Sequence, residues 1–421
     1  MRVLIINATE RRGGPAIAAY RLTEALKDNG IRAKMLVLEK STDRITTIVA
    51  PRSWGMRLGL LRERCIVKLH NRLKKQHRYR LHLGTSGTDI TLLPEFRQAD
   101  VIHLHWTCDG MLSLNMIHRI AASGKPIVWT MHDMWPFTGI CHYAHDCDNY
   151  MHHCGQCLQL NSSREHDLAY RYFEKKRALL TDSPIRFIAC SHWLEERARM
   201  SALLRGTHIT CIPNAVNTRI FCPRDKGTTR QRLHLPTDRR LLLFTSESIV
   251  DRRKGFTYLV EATRDLVAAH PQWTDTMGLV VIGKDSARAS FSDVPFPVYP
   301  MQYVADEHQM ADIMAAVDIF TIPSLQDNLP NTVVEAMACG IPCIGFNVGG
   351  IPEMIDHLHN GYIADYKNTQ HLAEGIHWLL TEGDYDMLSH QALRKAQTTY
   401  SETSVAAAHI AIYNSVTRHN D

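Results

Sequence analysis

Short apolar runs alternate with stretches of helical periodicity along nearly the whole chain, and this alternation restricts the fold more than any other feature. Val3–Ile6, Asp100–Trp106, Ile127–Met131, Ile185–Cys190 and His208–Ile212 read as strands of a first half. Leu241–Phe244, Leu279–Ile282, Ile319–Ile322 and Pro342–Phe346 read as strands of a second. Strands separated by helices pair in parallel, and the helices then wrap both faces of the sheet. Two prolines and two asparagines break the pattern in Ile212-Pro-Asn-Ala-Val-Asn-Thr-Arg-Ile-Phe-Cys-Pro223. A chain of 421 residues exceeds a single hydrophobic core, so the expected fold class is α/β with two parallel-sheet domains, 1–213 and 224–401.

The opening run Met1–Asn7 is too short for a signal peptide or a membrane span, and no later run is long enough. Eleven cysteines, an odd number without a secretory leader, point to reduced thiols in the cytoplasm. The net charge of +5 is unevenly placed: between Arg52 and Arg80, ten Lys or Arg residues stand against one acid, Glu63. Leu58, Leu61, Cys65, Leu69 and Leu73 recur there at three- and four-residue spacing, which predicts a basic amphipathic helix suited to the inner face of an anionic membrane. No recognised nucleic-acid motif accompanies the charge, so nucleic acid is not an expected partner.

The stretch Ser324-Leu-Gln-Asp-Asn-Leu-Pro-Asn-Thr-Val-Val-Glu-Ala-Met-Ala-Cys-Gly-Ile-Pro342 reads as a strand end, a loop and a helix. Asn328 is placed to cap and Pro330 suits the first helical position, where its missing N–H costs nothing. Free amides at such a helix start attract phosphate, and the carboxylates Asp327 and Glu335 can accept hydrogen bonds from sugar hydroxyls. With Gly349-Gly350-Ile-Pro-Glu353, this stretch resembles the donor-site signature of the retaining GT-B glycosyltransferases of group 1 (family 4), with Asp327 where that family usually has glutamate. The resemblance implies a GT-B fold: two Rossmann-like domains facing across a cleft, donor on the second, acceptor on the first, and a last helix (402–421) packing back on the first domain. It also implies a sugar transfer from a nucleoside-diphosphate donor, UDP or GDP type, to a glycan or lipid-linked oligosaccharide. No metal is required for that chemistry.

Residue by residue, the resemblance implies that Gly13-Gly14 approaches the donor and that Lys254 neutralises its diphosphate. Arg252 or Arg253 stands in for an arginine that the family carries earlier, where this chain has Ser246-Glu-Ser-Ile-Val. Asp327 would hold the donor sugar and Glu335 the ribose, with Asn328, Leu329 and Asn331 lining the site. His132 would touch the transferred sugar, with His103, His105 and Trp106 as acceptor-side contacts. The run His132-Asp-Met-Trp-Pro-Phe-Thr-Gly139 and the cysteines that follow it are similar to those of polysaccharide-assembly glycosyltransferases of the colanic-acid type. Cys141, Cys147, Cys154 and Cys157 are candidates for a structural zinc, with unmetallated thiols as the alternative. Two other functions stay open: a nucleotide-sugar epimerase of the same fold, and a non-catalytic glycan- or nucleotide-binding module.

Overall fold

The computed structural model describes residues 1–71 and 81–418. The chain forms two compact units, residues 1–213 with the stretch from Val405 onward, and residues 214–404.

The first unit is built on seven parallel strands, β1 (Arg2–Ile6), β2 (Arg32–Val37), β3 (Thr47–Val49), β4 (Val101–Leu104), β5 (Ile127–Met131), β6 (Ile185–Ala189) and β7 (Ile209–Cys211), in the order β3-β2-β1-β4-β5-β6-β7. Val3 lies beside Val101 and Ile102 beside Ile127, so every residue of β4 and β5 is buried between helical layers. That double burial is why these strands read as unbroken apolar runs instead of alternating ones. The last helix, Glu402–Arg418, contributes its part from Val405 to this unit. Its Tyr413 is fully buried, with its hydroxyl 2.7 Å from His103 Nδ1.

The second unit carries six parallel strands, β8 (Arg240–Thr245), β9 (Met277–Ile282), β10 (Val298–Met301), β11 (Ile319–Ile322), β12 (Cys343–Phe346) and β13 (Gly361–Ala364), in the order β10-β9-β8-β11-β12-β13. Asp318, just before β11, is buried and accepts from Arg230 Nη2 (2.6 Å), Lys226 Nζ (2.8 Å) and the Leu241 amide (2.7 Å). A buried carboxylate with three donors fixes the register of β8 and β11 while its charge stays satisfied. With their helices on both faces, the two sheets have the architecture of the GT-B fold.

In the basic segment a helix forms over Trp54–His70; Met56, Glu63 and Val67 point inward, and the face that carries Leu58, Leu61 and Leu69 is open. Trp54, Leu58, Leu61 and Leu69 are 77%, 63%, 57% and 69% exposed, beside exposed Cys65. The inward acid explains the orientation: Glu63 accepts from the amides of Leu83 (2.8 Å) and Thr85 (2.9 Å) and from the Thr85 hydroxyl (2.6 Å). Two backbone donors that would otherwise be buried unpaired hold that face down. Leu73 and the basic residues 72, 74, 75, 78 and 80 lie outside the described residues.

Candidate active site

In the second unit the direction of strand succession reverses between β8 and β11, and ligands of such sheets bind beyond the carboxyl ends at that reversal. The loop after β8 ends in a turn, Arg252–Lys254, capped by the Asp251 side chain, which accepts from the Arg253 amide (3.1 Å). Gly255 follows with φ +72°, and a Cβ there would sit 1.7 Å from the Pro323 carbonyl oxygen. Glycine is the residue that lets this turn press against the end of β11. The contact is closed by the Leu325 amide on the Arg253 carbonyl (2.7 Å) and by Arg253 Nη1 on the Gln326 carbonyl (2.8 Å).

Those contacts deliver the cations to the carboxylate. Lys254 Nζ donates to Asp327 Oδ2 at 2.6 Å, Arg253 Nη1 lies 3.4 Å from the same oxygen, and the Ser324 hydroxyl donates to it at 3.2 Å. Burial pushes the Asp327 carboxyl up, but Lys254 and Arg253 outweigh it and hold it below the usual carboxylate range. Arg252 is exposed, so of the two candidate arginines Arg253 is the one brought to Asp327. From the other side Gly349, with φ +63°, packs so closely that a Cβ would lie 1.9 Å from the Asp327 carbonyl oxygen. The Gly350 amide donates to that oxygen at 3.2 Å.

This underpinning shifts the helix start. The helix runs Asn331–Ala338, with Pro330 at the N-cap and no side-chain cap, so Asn328 does not cap and Pro330 is not the first helical residue. The backbone of Asp327 is instead tied to the Gly349-Gly350 turn, and the chain becomes helical from Asn331. Asn331 Oδ1 accepts from Asn214 Nδ2 at 3.0 Å, while Asn328, Leu329 and Glu335 are buried around the helix start. Ser324 and Asn214, both part of this arrangement, carried no signal in the sequence beyond their neighbours.

In the first unit, His132 directly follows β5, and its Nε2 lies 2.8 Å from His105 Nδ1. Burial pushes the His132 pKa down to about 4 against the opposing pull of Asp133, leaving a neutral imidazole at neutral pH. The expected acceptor contacts fare unequally. His103 is fully buried, its ring nitrogens 2.7 Å from the Tyr413 hydroxyl and 2.8 Å from the Thr130 hydroxyl, so it is a packing residue and not an open contact. His105 is also buried, whereas Trp106 keeps an accessible edge and donates through Nε1 to Asp133 Oδ2 at 3.2 Å. Gly13 and Gly14 stand at the start of the helix Gly14–Asp28, after β1.

The four cysteines lie in one region of the first unit, and all are free thiols. Burial raises Cys141 to about 11 and Cys157 to about 12, with the charge of Cys141 adding to the rise at Cys157. Among the described residues, ligand atoms lie within 4.8 Å of one another in His82, Cys108 and His142 and in His192, Glu195 and Cys211, but not in this set. Cys154 is buried, its sulfur accepting from the Gly139 amide at 3.2 Å.

Comparison with known proteins bears on both units. Residues 12–220 match the family described as Glycosyltransferase Family 4, and residues 239–382 match Glycosyl transferases group 1. Over 203 residues the chain is 30% identical to the putative teichuronic acid biosynthesis glycosyltransferase TuaC of Bacillus subtilis, a stretch that is 48% of each protein. The chain thus spans about half the length of the curated relatives it matches. Sucrose-phosphate synthase from Thermosynechococcus elongatus has a similar fold, with a TM-score of 0.67 at 18% identity over 99% of both chains. Anabaena HepE in complex with UDP-glucose superposes with a TM-score of 0.64 at 14% identity, over 99% of this chain and all of that one (100%). With a family 4 domain in its first unit, a group 1 domain in its second and the GT-B architecture in both sheets, the chain belongs to the group 1 (family 4) glycosyltransferases.

Proposed function

We propose that this protein is a retaining glycosyltransferase that moves a sugar from a UDP- or GDP-linked donor to a glycan or lipid-linked oligosaccharide in cell-surface polysaccharide assembly. The observation that carries the reading is the Lys254, Arg253 and Asp327 cluster at the strand reversal of the group 1 domain. A nucleoside diphosphate leaving the sugar gathers negative charge on its terminal phosphate, and fixed cations in a partly dry site stabilise that charge better than water does. Asp327 pairs with both cations. A diphosphate would take Lys254 and Arg253 over and free the carboxylate for the hydroxyls of the sugar.

In the proposed reaction the bond from the anomeric carbon to the phosphate oxygen breaks. The bond to the acceptor oxygen forms on the same face, and the acceptor proton passes to the departing phosphate. Neutral His132, directly after β5, suits contact with a sugar hydroxyl, because its imidazole carries no charge to desolvate. HepE was captured with UDP-glucose, which favours a UDP-linked donor here. The open stripe of Trp54, Leu58, Leu61 and Leu69, flanked by exposed Arg57, Arg62 and Lys68, supports work on an acceptor at an anionic membrane surface. No helix among the described residues is long and apolar enough to cross a membrane.

The test is Lys254→Ala, assayed for donor binding and for sugar release from UDP- and GDP-sugars, with the melting curve as a control for folding. Loss of both activities in a folded protein is expected. A folded variant with full activity would remove the diphosphate role.

A further inference from the structure

Outside the site described above, the first unit contains a buried chain of side chains with an unusual proton count. His82 Nδ1 and His142 Nε2 face each other at 2.7 Å. The opposite nitrogen of each ring meets a carboxylate: His82 Nε2 lies 3.0 Å from Asp109 Oδ1, and His142 Nδ1 lies 2.7 Å from Asp133 Oδ2. An ionised carboxylate only accepts, so each ring must place its N–H on the outer nitrogen. Two neutral imidazoles held this way present bare lone pairs to each other across the central contact. That contact is repulsive unless a cation, a proton or a metal ion, lies between the two nitrogens.

A third donor atom converges on the same point. Cys108 is buried, and its sulfur and one nitrogen of each histidine lie within 4.8 Å of one another. The backbone holds all three in place. Leu81 and Cys141 form an antiparallel bridge, and the His82 amide donates to the Ile140 carbonyl (2.9 Å), which sets His82 alongside His142. The Met134 amide donates to the His142 carbonyl (2.9 Å), and the Met111 amide to that of Cys108 (3.2 Å). The outer carboxylates are themselves held: Asp133 accepts from Trp106 Nε1 (3.2 Å) and the Trp135 amide (2.8 Å), and Asp109 lies 3.7 Å from Arg64 Nη2.

We propose that His82, His142 and Cys108 bind a divalent transition-metal ion, zinc in the first instance, with Asp109 and Asp133 orienting the two imidazoles. Two nitrogens and a thiolate are a donor set that suits zinc, and metal-bound histidines characteristically donate their other N–H to a carboxylate. Binding requires the imidazole nitrogens to separate from 2.7 Å to about 3.3 Å, the edge of a tetrahedron with zinc–nitrogen bonds of about 2.0 Å. The thiol proton is released to solvent on binding, since the thiolate is the ligand. A small cavity of about 10 Å³, lined in part by Cys108, Trp106 and Asp133, has room for roughly one water beside the cysteine. The site lies where β4 and β5 deliver Trp106 and His132, so the ion would fix the loops that carry them.

The full-length protein, dialysed against zinc and then against metal-free buffer, is to be analysed for bound metal alongside Cys108→Ser, His82→Asn and Asp109→Asn. The wild type is expected to retain zinc, Cys108→Ser and His82→Asn to lose about one equivalent, and Asp109→Asn to bind about 10- to 100-fold more weakly. Cys154→Ser, which alters only the separate thiol group, should keep this equivalent. A wild type that holds no zinc, or Cys108→Ser and His82→Asn proteins that hold as much as the wild type, would overturn the site and leave a shared proton as the cation between the rings. If the variants do not fold, zinc-edge absorption of the wild type decides. A shell mixing nitrogen and sulfur supports the site, and a shell of sulfur alone or of oxygen overturns it.

Discussion

Replacing Asp327 with asparagine keeps the side-chain volume and removes one charge, which isolates the interaction on which the donor site rests. In the wild type the carboxylate sits 2.6 Å from Lys254 Nζ and 3.4 Å from Arg253 Nη1, and the side chains of Lys254 and Asp327 are only 20% and 10% exposed. At an effective dielectric constant of 20, two unit charges at that closer distance attract by roughly 6 kcal/mol before desolvation. Removing one partner of a buried pair costs about 3–5 kcal/mol, because the other charge is stranded. The partial exposure of Lys254 favours the lower end, about 3 kcal/mol, or roughly 6–12 °C in the melting temperature of a unit of this size. The effect depends on pH in a defined direction. The folded-state pKa of Asp327 lies below its unfolded value, so its contribution is complete above the usual carboxylate pKa of about 3.9 and disappears as pH falls through the folded value. Thermal melts of wild type and Asp327→Asn at pH 7 should differ by the stated amount and converge at the acid end. Added UDP should raise the melting temperature of the variant more than that of the wild type, since its phosphates restore the missing negative charge. Equal melting at pH 7, a gap that persists in acid, or a UDP effect no larger in the variant would refute the reasoning.

Gly255→Ala places a methyl group 1.7 Å from the Pro323 carbonyl oxygen at φ +72°, so either the turn or the end of β11 must move. Donor affinity should fall at least tenfold, and unchanged calorimetric binding would show that the turn is not held as described. Burial pushes both His132 and His409 down to about 4, so the unfolded chain binds more protons than the folded one between about pH 6.5 and 4. Stability is therefore complete above that window and declines as pH falls through it; a melting temperature flat across the window would contradict this. Leu58→Glu with Leu61→Glu changes exposed side chains and should leave folding intact while weakening sedimentation with anionic vesicles several-fold. Undiminished binding would remove the membrane contact from the account.

The fold was legible where burial on both faces writes an unbroken apolar run. Ile127–Met131 and Ile319–Ile322 coincide with β5 and β11, and most other strands differ only at their ends. The strands without a signal lie toward the sheet edges, where one side chain in two meets solvent or a turn breaks the run. β2 is interrupted by exposed Arg32 and Lys34, β3 is three residues long, β10 contains Pro300, and β13 begins at Gly361 after Asn360. At the donor site, the motifs that carry the family resemblance pointed to Lys254, Asp327 and the Gly349-Gly350 turn. They could not choose between Arg252 and Arg253, which depends on a carbonyl contact made 73 residues away in the chain. The orientation of the basic helix was hidden for a related reason. Periodicity marked the leucine face but not what holds the other face inward, where a single acid, Glu63, meets two backbone donors from a segment about 20 residues further on. His82, Asp109 and Asp133 come together through the pairing of Leu81 with Cys141, which no local pattern announces.

Calorimetric titration of the purified protein with a panel of nucleoside diphosphates, with Lys254→Ala in parallel, tests the central claim most directly. Saturable binding of one base to the wild type, lost in a Lys254→Ala protein that melts as a folded chain, is the predicted result. No binding across the panel, or equal binding by the variant, would contradict a donor site built on Lys254, Arg253 and Asp327.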